Sequence, residues 1–170
     1  MLFLAKKLHQ LTFSKLMDIY AEGNRENGQE LWPGLDCNER ILRAEQAFYQ
    51  YLQEDFFKAK DAVYAVWTEG DRYISALRLE AYQDGLLLEA LETAPEYRKK
   101  GYASQLVDAV KLQFPGKIYS HVSKGNIASL RTHEKCGFKR ILDYAAYVDG
   151  TIARNAYTLC FDGSVGEKQK

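Results

Sequence analysis

Residues 62–92 carry the pattern of three short β-strands joined by two tight turns, and this pattern restricts the fold more than any other stretch. The segment is AVYAVWTEGDRYISALRLEAYQDGLLLEALE, with its turns at EGDR and QDG. An apolar helical face follows, formed by Ala103, Leu106, Val107, Val110 and Phe114, and then the strand KIYSHVS. This strand–helix–strand unit predicts a mixed sheet with helices on its faces.

Strand and helix patterns also cover the flanking regions. A strand is predicted at Leu2–His9, a helix over TFSKLMDIYAEG, a loop over NGQELWPGLDCN and an amphipathic helix over ERILRAEQAFYQYLQEDFFK. Downstream, NIASLRTHEKCGF predicts a helix that is capped by Asn126 and stopped near Gly137. The segment FKRILDYAAYVDGTIARNAYTLCF predicts a strand pair with a turn at DG. The predicted order is β-α-α-β-β-β-α-β-α-β-β.

The composition predicts one soluble globular domain over residues 1–170, with a loose polar tail at about 163–170. Lys+Arg and Asp+Glu both number 23, so no net field favours nucleic acid or an anionic membrane. The apolar runs are shorter than a membrane span, and the amino terminus is interpreted as a strand rather than a signal peptide. The cysteines Cys37, Cys136 and Cys160 and the scattered histidines form no disulfide or metal pattern, so we expect a cytoplasmic protein without a metal.

The helix start in PEYRKKGYASQLVDAV is unusual because Arg98, Lys99 and Lys100 stand together where the helix dipole disfavours cations. A phosphate bound by the free amides of that helix end would account for them. Gly101 would then allow close approach of the backbone to the ligand. The alternative is a solvated surface run with an ordinary turn glycine.

Two motifs resemble the GNAT-type N-acetyltransferases. TAPEYRKKGYASQLV is similar to their acyl-coenzyme A-binding pattern, Gln/Arg-x-x-Gly-x-Gly/Ala, through Arg98, Gly101 and Ala103. NIASLRTHEKCGF resembles their second conserved helix, and the matching residues are Asn126, Ser129, Glu134, Lys135, Gly137 and Phe138. The resemblance covers roughly residues 60–160. It implies the GNAT acyltransferase fold, with a mixed, mostly antiparallel central sheet flanked by helices.

The resemblance also implies acetyl-coenzyme A as the acetyl donor and an amine as the acceptor. By similarity, the amides from Arg98 to Ala103, including Lys99, Lys100, Gly101 and Tyr102, hold the pyrophosphate. The backbone of Leu91 and Thr93 would pair with the pantetheine arm like an extra strand. Asn126, and with it Ser129 of the same motif, would contact that arm from the other helix.

His133 stands where the family usually has a tyrosine that protonates the leaving thiolate. Asn126 and His133 are about two helical turns apart and share a face, so His133 is a candidate acid. The alternative is a histidine placed at a helix end by the dipole. Tyr97, Tyr144 and Tyr147 are substitutes that the sequence does not place.

Glu89 is the candidate base that would receive the amine proton, directly or through water. Strand alternation predicts that Glu89 shares a face with Leu91 and Thr93, whereas Glu92 faces away. Some family members carry this glutamate two positions earlier, where this chain has Leu87. Glu80 and Asp84 are further candidates.

The acceptor is expected to be the amine of a small molecule or a peptide, and the sequence does not choose between them. The two amino-terminal helices carry aromatic residues, namely Trp32, Phe48, Tyr49, Tyr51, Phe56 and Phe57, which pattern and spacing assign mainly to the core. The sequence does not decide whether the protein forms a homodimer. The alternative function is a non-catalytic acyl-coenzyme A sensor or interaction module. This alternative remains because His133 stands in place of the tyrosine that the family usually has.

Overall fold

A computed structural model describes residues 1–163, which form one large sheet, a small hairpin and four α-helices. The strands are β1 Leu2–Ala5, β2 Val63–Glu69, β3 Arg72–Tyr82, β4 Gly85–Thr93, β5 Lys117–Ser123, β6 Lys139–Leu142, β7 Ala145–Ala146, β8 Ile152–Ala153 and β9 Ala156–Asp162. The helices are α1 Phe13–Leu31, α2 Cys37–Glu54, α3 Tyr102–Gln113 and α4 Ile127–Lys135. Single 3₁₀ turns occur at Leu8–Gln10, Phe56–Lys58 and Pro95–Tyr97. Apart from Gly163, the predicted polar tail lies outside the described residues.

The seven-stranded sheet has the order β1-β2-β3-β4-β5-β9-β6. Neighbouring strands are antiparallel except for β4 and β5, which are joined by the crossover helix α3 and run parallel. The predicted mixed, mostly antiparallel sheet is therefore confirmed. A parallel pair in the middle of an antiparallel sheet is the feature on which the site depends.

Two apolar cores cover the two faces of the sheet. One core joins alternate residues of β2–β5 to Leu106, Val107 and Val110 of α3 and to Leu130 of α4, and we call this side the α3–α4 face. The other core joins β1–β3 to Leu16, Ile19 and Leu52 and defines the α1–α2 face. Of the amino-terminal aromatics, Phe48, Tyr51, Phe56 and Phe57 pack in this second core, as their spacing predicted.

The α1 helix is longer than the sequence predicted, because it runs through Asn27 and Gly28 to Leu31. A Cβ at Gly28 would lie 3.0 Å from the carbonyl oxygen of Arg40 in α2, so this glycine allows the two helices to pack closely. Asp36 caps α2 and accepts hydrogen bonds from the amides of Asn38 and Glu39. The Asn-Gly pair is thus a helix-packing site rather than the predicted turn.

The predicted strand pair near the carboxyl terminus is formed by β6 and β9, but the hairpin β7–β8 is inserted between them. The DG turn lies at the tip of this hairpin, where the Asp149 carboxylate accepts a hydrogen bond from the amide of Thr151. The hydroxyl of Tyr82 donates to the carbonyl of Ala146 at 2.5 Å and ties the hairpin to β3. The hairpin therefore lies over the α1–α2 face of the sheet.

Among residues 1–163, no helix combines the length and apolar character that crossing a membrane requires. Within the same range, His, Cys, Asp and Glu side chains form no group of three that could hold a metal ion.

Candidate active site

The parallel strands β4 and β5 separate part-way along their length and leave a cleft in the sheet. Within the described chain, their ladder covers only Leu86–Leu88 against Ile118–Ser120. Beyond it, the cleft is lined by Leu88, Glu89, Ala90 and Leu91 of β4, by Ser120, His121, Val122 and Ser123 of β5, and by Asn126, Ser129 and His133 at α4. We call this the β4–β5 cleft. The backbone that borders it lacks a neighbouring strand and is available to an extended ligand.

A β-bulge at Ala90 shapes the β4 side of the cleft. Ala90 has a φ of +50°, and the register of β3 against β4 shifts between the pairs Arg78–Glu89 and Ala76–Glu92. The bulge reverses the alternation that the sequence predicted. Leu91 packs in the α3–α4 core, whereas Glu89 pairs with Arg78 across the β3–β4 ladder and lies beside Glu80 on the other face. The prediction that Glu89 shares a face with Leu91 is therefore wrong.

Thr93 serves the β3–β4 pair rather than the cleft. Its hydroxyl donates to the Ser75 hydroxyl at 3.0 Å, and its carbonyl oxygen accepts from Nε of Arg98 at 3.1 Å. Of the two residues predicted to pair with a pantetheine arm, Leu91 lines the cleft and Thr93 does not.

The amino end of α3 presents free amides. Gly101 is the N-cap with a φ of +84°, and within the part of the chain that the structure describes no side chain caps this helix. Because the first turn of a helix lacks internal acceptors, the amides of Tyr102 and Ala103 are free to bind an anion. A Cβ at Gly101 would approach only Nε2 of Gln105, at 3.9 Å, so the space beside the helix start is open.

Arg98 has protein partners on two elements. Its guanidinium bonds Glu22 of α1 at 2.5 Å and Glu92 of β4 at 3.2 Å, and its own amide donates to the carbonyl of Pro95. Burial raises the pKa of Glu92, and the cation of Arg98 opposes that rise. The residue fastens α1 to the end of β4, and its contact with pyrophosphate stays a prediction.

Lys99 and Lys100, the other two cations of the run, have different surroundings. Lys100 donates to the carbonyl of Glu96 at 3.0 Å, and its ammonium lies 5.3 Å from the ring centroid of Tyr97. Lys99 is exposed and has no partner among residues 1–163. Lys99 is therefore the member of the run whose charge is available to a phosphate.

Asn126 and Ser129 build the start of α4 beside the cleft. The Asn126 side-chain oxygen accepts from the Ser129 amide at 3.1 Å and caps the helix, as predicted. The side-chain amide nitrogen of Asn126 remains available as a hydrogen-bond donor. The carbonyl oxygen of Ser129 lies 2.8 Å from Nδ1 of His133. Ser129 also lines the cleft, and its contact with the cofactor stays a prediction.

His133 is only 1% exposed, and its ring meets Phe138 edge-on at a centroid distance of 5.1 Å. A carbonyl oxygen only accepts, so Nδ1 must carry the proton and Nε2 the lone pair. Burial lowers the pKa of His133, against the opposing effect of the Ser129 carbonyl, and this favours the neutral ring. The side chain lines the cleft as predicted, but its N–H is already used within the helix.

The α1–α2 face of the sheet beside the cleft carries charged and aromatic side chains. The Arg78 guanidinium lies 4.8 Å from the ring centroid of Tyr51 of α2. Burial and the neighbouring carboxylate of Glu89 raise the pKa of Glu80, whereas the cation of Arg78 opposes the rise. A carboxyl pair beside a buried cation thus borders the cleft. Asp84 is elsewhere and binds Lys117 and Tyr119.

His121 was not predicted from the sequence to be a site residue. Strand alternation places it opposite the core residues Ile118 and Val122, and its ring meets Tyr82 and Tyr147 at centroid distances of 5.5 and 4.8 Å. Of the three substitute tyrosines, Tyr147 contacts the ring of His121, whereas Tyr97 accepts a hydrogen bond from Arg72 instead. The sequence signal for His121 is its spacing of three residues from Ile118, because an odd spacing along a strand places two side chains on opposite faces.

Comparison with known proteins agrees with this geometry. The model of the acetyltransferase (GNAT) family matches residues 24–138, and the chain therefore belongs to that family. No curated protein sequence matches the chain significantly.

Solved structures with the same fold include three acetyltransferases. The Escherichia coli ribosomal-protein-S18-alanine N-acetyltransferase has a TM-score of 0.56 at 16% identity, covering 100% of this chain and 99% of that one. Vibrio cholerae spermidine N-acetyltransferase, in complex with CoA and spermine, gives 0.57 at 19% identity and 96% coverage of both chains. A putative streptothricin acetyltransferase from Bacillus anthracis, in complex with acetyl coenzyme A, gives 0.50 at 17% identity, covering 64% of this chain and 66% of that one.

Proposed function

We propose that the protein transfers an acetyl group from acetyl-coenzyme A to a primary amine. The observation that carries this proposal is the β4–β5 cleft, which opens beyond Leu88 and Ser120. The cleft lies between the two faces of the sheet, and the two faces carry different side chains. The helices α3 and α4 cover one of these faces, and the Glu80–Glu89 pair lies on the other. A thioester bound from the first side and an amine bound from the second would meet in the cleft.

The residues present fit coenzyme A. The free amides of Tyr102 and Ala103 suit the pyrophosphate, and Lys99 adds a positive charge. The backbone at Leu91 and the amide nitrogen of Asn126 line the cleft and suit the amides of a pantetheine arm. The bound co-substrate supplies the activated thioester.

The acceptor amine is assigned to the α1–α2 face. A primary amine is mostly an ammonium at neutral pH, and the carboxylate of Glu89 attracts it by charge. The carboxyl groups of Glu80 and Glu89 lie side by side, and the cation of Arg78 limits the excess of negative charge. Glu89 is thus proposed to bind the acceptor nitrogen and remains the catalytic carboxylate of the proposal.

The leaving thiolate does not require a dedicated acid. A thiolate whose pKa is about 8.5 is a stable leaving group near neutral pH and takes its proton from solvent. This removes the need for His133 to donate a proton, and the geometry of that residue agrees because its N–H is bonded to Ser129.

The acceptor is a small-molecule or peptide amine. Related folds in the spermidine and ribosomal-protein-S18-alanine N-acetyltransferases suggest both kinds as test substrates. A cytoplasmic location and a homodimer stay predictions.

Thiol release from acetyl-coenzyme A tests the proposal directly. The panel contains spermidine, an aminoglycoside, an arylalkylamine and a peptide with an amino-terminal alanine. We expect release with at least one amine, and Glu89→Gln should weaken it mainly through KM for the amine. A rise in melting temperature with acetyl-coenzyme A, but no release with any amine, would instead establish the sensor function. Neither a melting shift nor release would contradict both functions.

A further inference from the structure

His121 lies at the point where the sheet opens. It follows Ser120, the last residue of β5 that pairs with β4, and the β5–β9 ladder pairs it with Thr158. Its side chain projects to the α1–α2 face, where its ring packs between Tyr82 of β3 and Tyr147 of the β7–β8 hairpin. Glu89 of β4 lines the same cleft on the opposite strand. The imidazole therefore borders the side assigned to the acceptor.

Both ring nitrogens of His121 are buried and have no hydrogen-bond partner within residues 1–163. Leaving a buried polar group without a partner is unfavourable, and buried polar groups are nearly always hydrogen-bonded. A histidine that only filled space between two tyrosines would be replaced by an apolar residue without this penalty. The missing partner points to a group that arrives with a ligand.

The other ionisable side chains at the cleft are placed differently. His133 gives its N–H to Ser129 and packs against Phe138 of the α3–α4 core, where its Nε2 also has no partner within residues 1–163. Glu89 lies beside Glu80 and Arg78. A carboxylate is a weaker base than a neutral imidazole and is a poorer match to the proton of an amine at neutral pH. His121 is the imidazole on the acceptor side of the cleft, and its lone pair is left for the amine.

We infer that His121 takes the proton from the attacking amine, directly or through one water molecule, while Glu89 holds the acceptor. This inference rests on the proposed acetyl transfer. The bound ammonium first loses one proton to solvent. The nitrogen of the neutral amine then bonds to the acetyl carbonyl carbon, and the carbon–sulfur bond breaks. One N–H proton passes to His121, and the thiolate takes one proton from solvent. The imidazolium then returns its proton to solvent, so that atoms and charge balance.

Burial keeps this imidazole in the basic form. It lowers the pKa of His121 below the usual 6.5, so the ring is neutral at pH 7. The titratable groups that face it are Tyr82 from β3, Tyr147 from the hairpin and Glu89 from β4, and His133 of α4 lines the same cleft. The parent should therefore lose activity as pH falls through the lowered pKa.

The test compares the full-length parent with His121→Gln and His121→Asn, using an amine of the panel that the parent acetylates. Tyr147→Phe is the matched control, since it keeps the ring against His121. We expect kcat to fall about 10²-fold or more in both His121 variants, with KM for acetyl-coenzyme A within about threefold of the parent. The acidic limb of the kcat/KM profile should disappear with the histidine and persist in the control.

A kcat within about threefold of the parent, with the acidic limb unchanged, would overturn the inference and leave the proposed acetyl transfer intact. A parent that releases no thiol with any amine would overturn both. If neither variant folds, imidazole NMR of the parent decides: His121 must be neutral at pH 7, and its signals must shift when the amine is added to the acetyl-coenzyme A complex. Signals that stay unchanged would overturn the inference.

Discussion

The hydroxyl of Tyr20 in α1 donates a hydrogen bond to the carbonyl oxygen of Ala90 in β4 at 2.7 Å. Ala90 is the bulged residue with a φ of +50°, a conformation that side chains other than glycine adopt only when the surroundings hold them. Tyr20 also accepts from the hydroxyl of Tyr64 at 2.9 Å, and burial raises the pKa of Tyr20 to about 12. The neutral phenol thus holds the bulge at the edge of the cleft.

Replacing Tyr20 with Phe should loosen that bulge. The Ala90 carbonyl would lose its partner, at about 1–2 kcal/mol of unfolding free energy. Because the bulge places Leu91 and Glu89 on opposite faces, we also expect kcat/KM to fall. Chemical denaturation and thiol-release kinetics measure the two effects. Tyr64→Phe is the control: it removes the hydrogen bond to Tyr20 but spares the Ala90 contact, so equal kinetic losses in both variants would contradict the assignment.

Arg98 and Lys99 should separate stability from cofactor binding. Arg98→Gln removes the bonds to Glu22 and Glu92, so it should lower the unfolding free energy by about 1 kcal/mol, a shift of about 2–4 °C. Lys99→Gln should leave the melting temperature near that of the parent. It should weaken acetyl-coenzyme A binding by about fivefold, the equivalent of about 1 kcal/mol of exposed charge attraction, and flatten the salt dependence. Calorimetric titration at two salt concentrations checks both, and a reversed pattern would restore Arg98 as the phosphate-facing residue.

Gly101 and Gly70 form a matched pair for testing the helix start. Both have positive φ, +84° and +57°, and an added Cβ would have open space at either position apart from Gln105 at 3.9 Å. Alanine should therefore cost a similar strain of about 1–2 kcal/mol at each site. Only Gly101→Ala is expected to reduce the melting shift that acetyl-coenzyme A produces. Equal melting shifts in the two variants would show that no ligand approaches Gly101.

The sequence predicted the starts of α3 and α4 better than the faces of β4, and the physical reason is the range of the contacts. Gly101, Asn126 and the start of α3 owe their roles to neighbours within a few residues. The partner of Arg98 is Glu22, 76 residues away, so a local motif could not choose between a phosphate and an ion pair. The local sequence pattern likewise could not show that Lys99 and Lys100 have different surroundings.

Two further differences have the same origin. Alternation along β4 assumes a regular strand, and the bulge at Ala90 is held by Tyr20 from α1, which a period of two does not encode. His121 was passed over because its isolation in sequence resembles that of any core histidine. Its missing hydrogen-bond partners become visible only after Tyr82 and Tyr147 surround the ring.

Asp84 should make the stability depend on acid. Hydrogen bonds from Lys117 and Tyr119, at 2.6 and 2.5 Å, hold the pKa of Asp84 below its ordinary value of 3.8. A lowered pKa in the folded state adds stability above the unfolded pKa, and this is lost as pH falls through the folded value. Asp84→Asn should therefore lower the melting temperature at pH 7, and the difference should shrink below about pH 3.8. Asp18→Asn, at an exposed residue without a partner among residues 1–163, should show no such trend.

His133→Phe should retain turnover, because the structure commits the only N–H of the neutral ring to the Ser129 carbonyl. Phenylalanine approximates the size of the imidazole and removes that bond, at about 1 kcal/mol of stability. We expect kcat within about threefold of the parent, in contrast to the larger loss predicted for His121→Gln. The assay needs acetyl-coenzyme A at saturation and a circular dichroism check that the variant is folded. A loss of about 10²-fold with an unchanged melting shift would instead mean that His133 forms an imidazolium and supplies the thiolate proton, the role that the resemblance implied for this position.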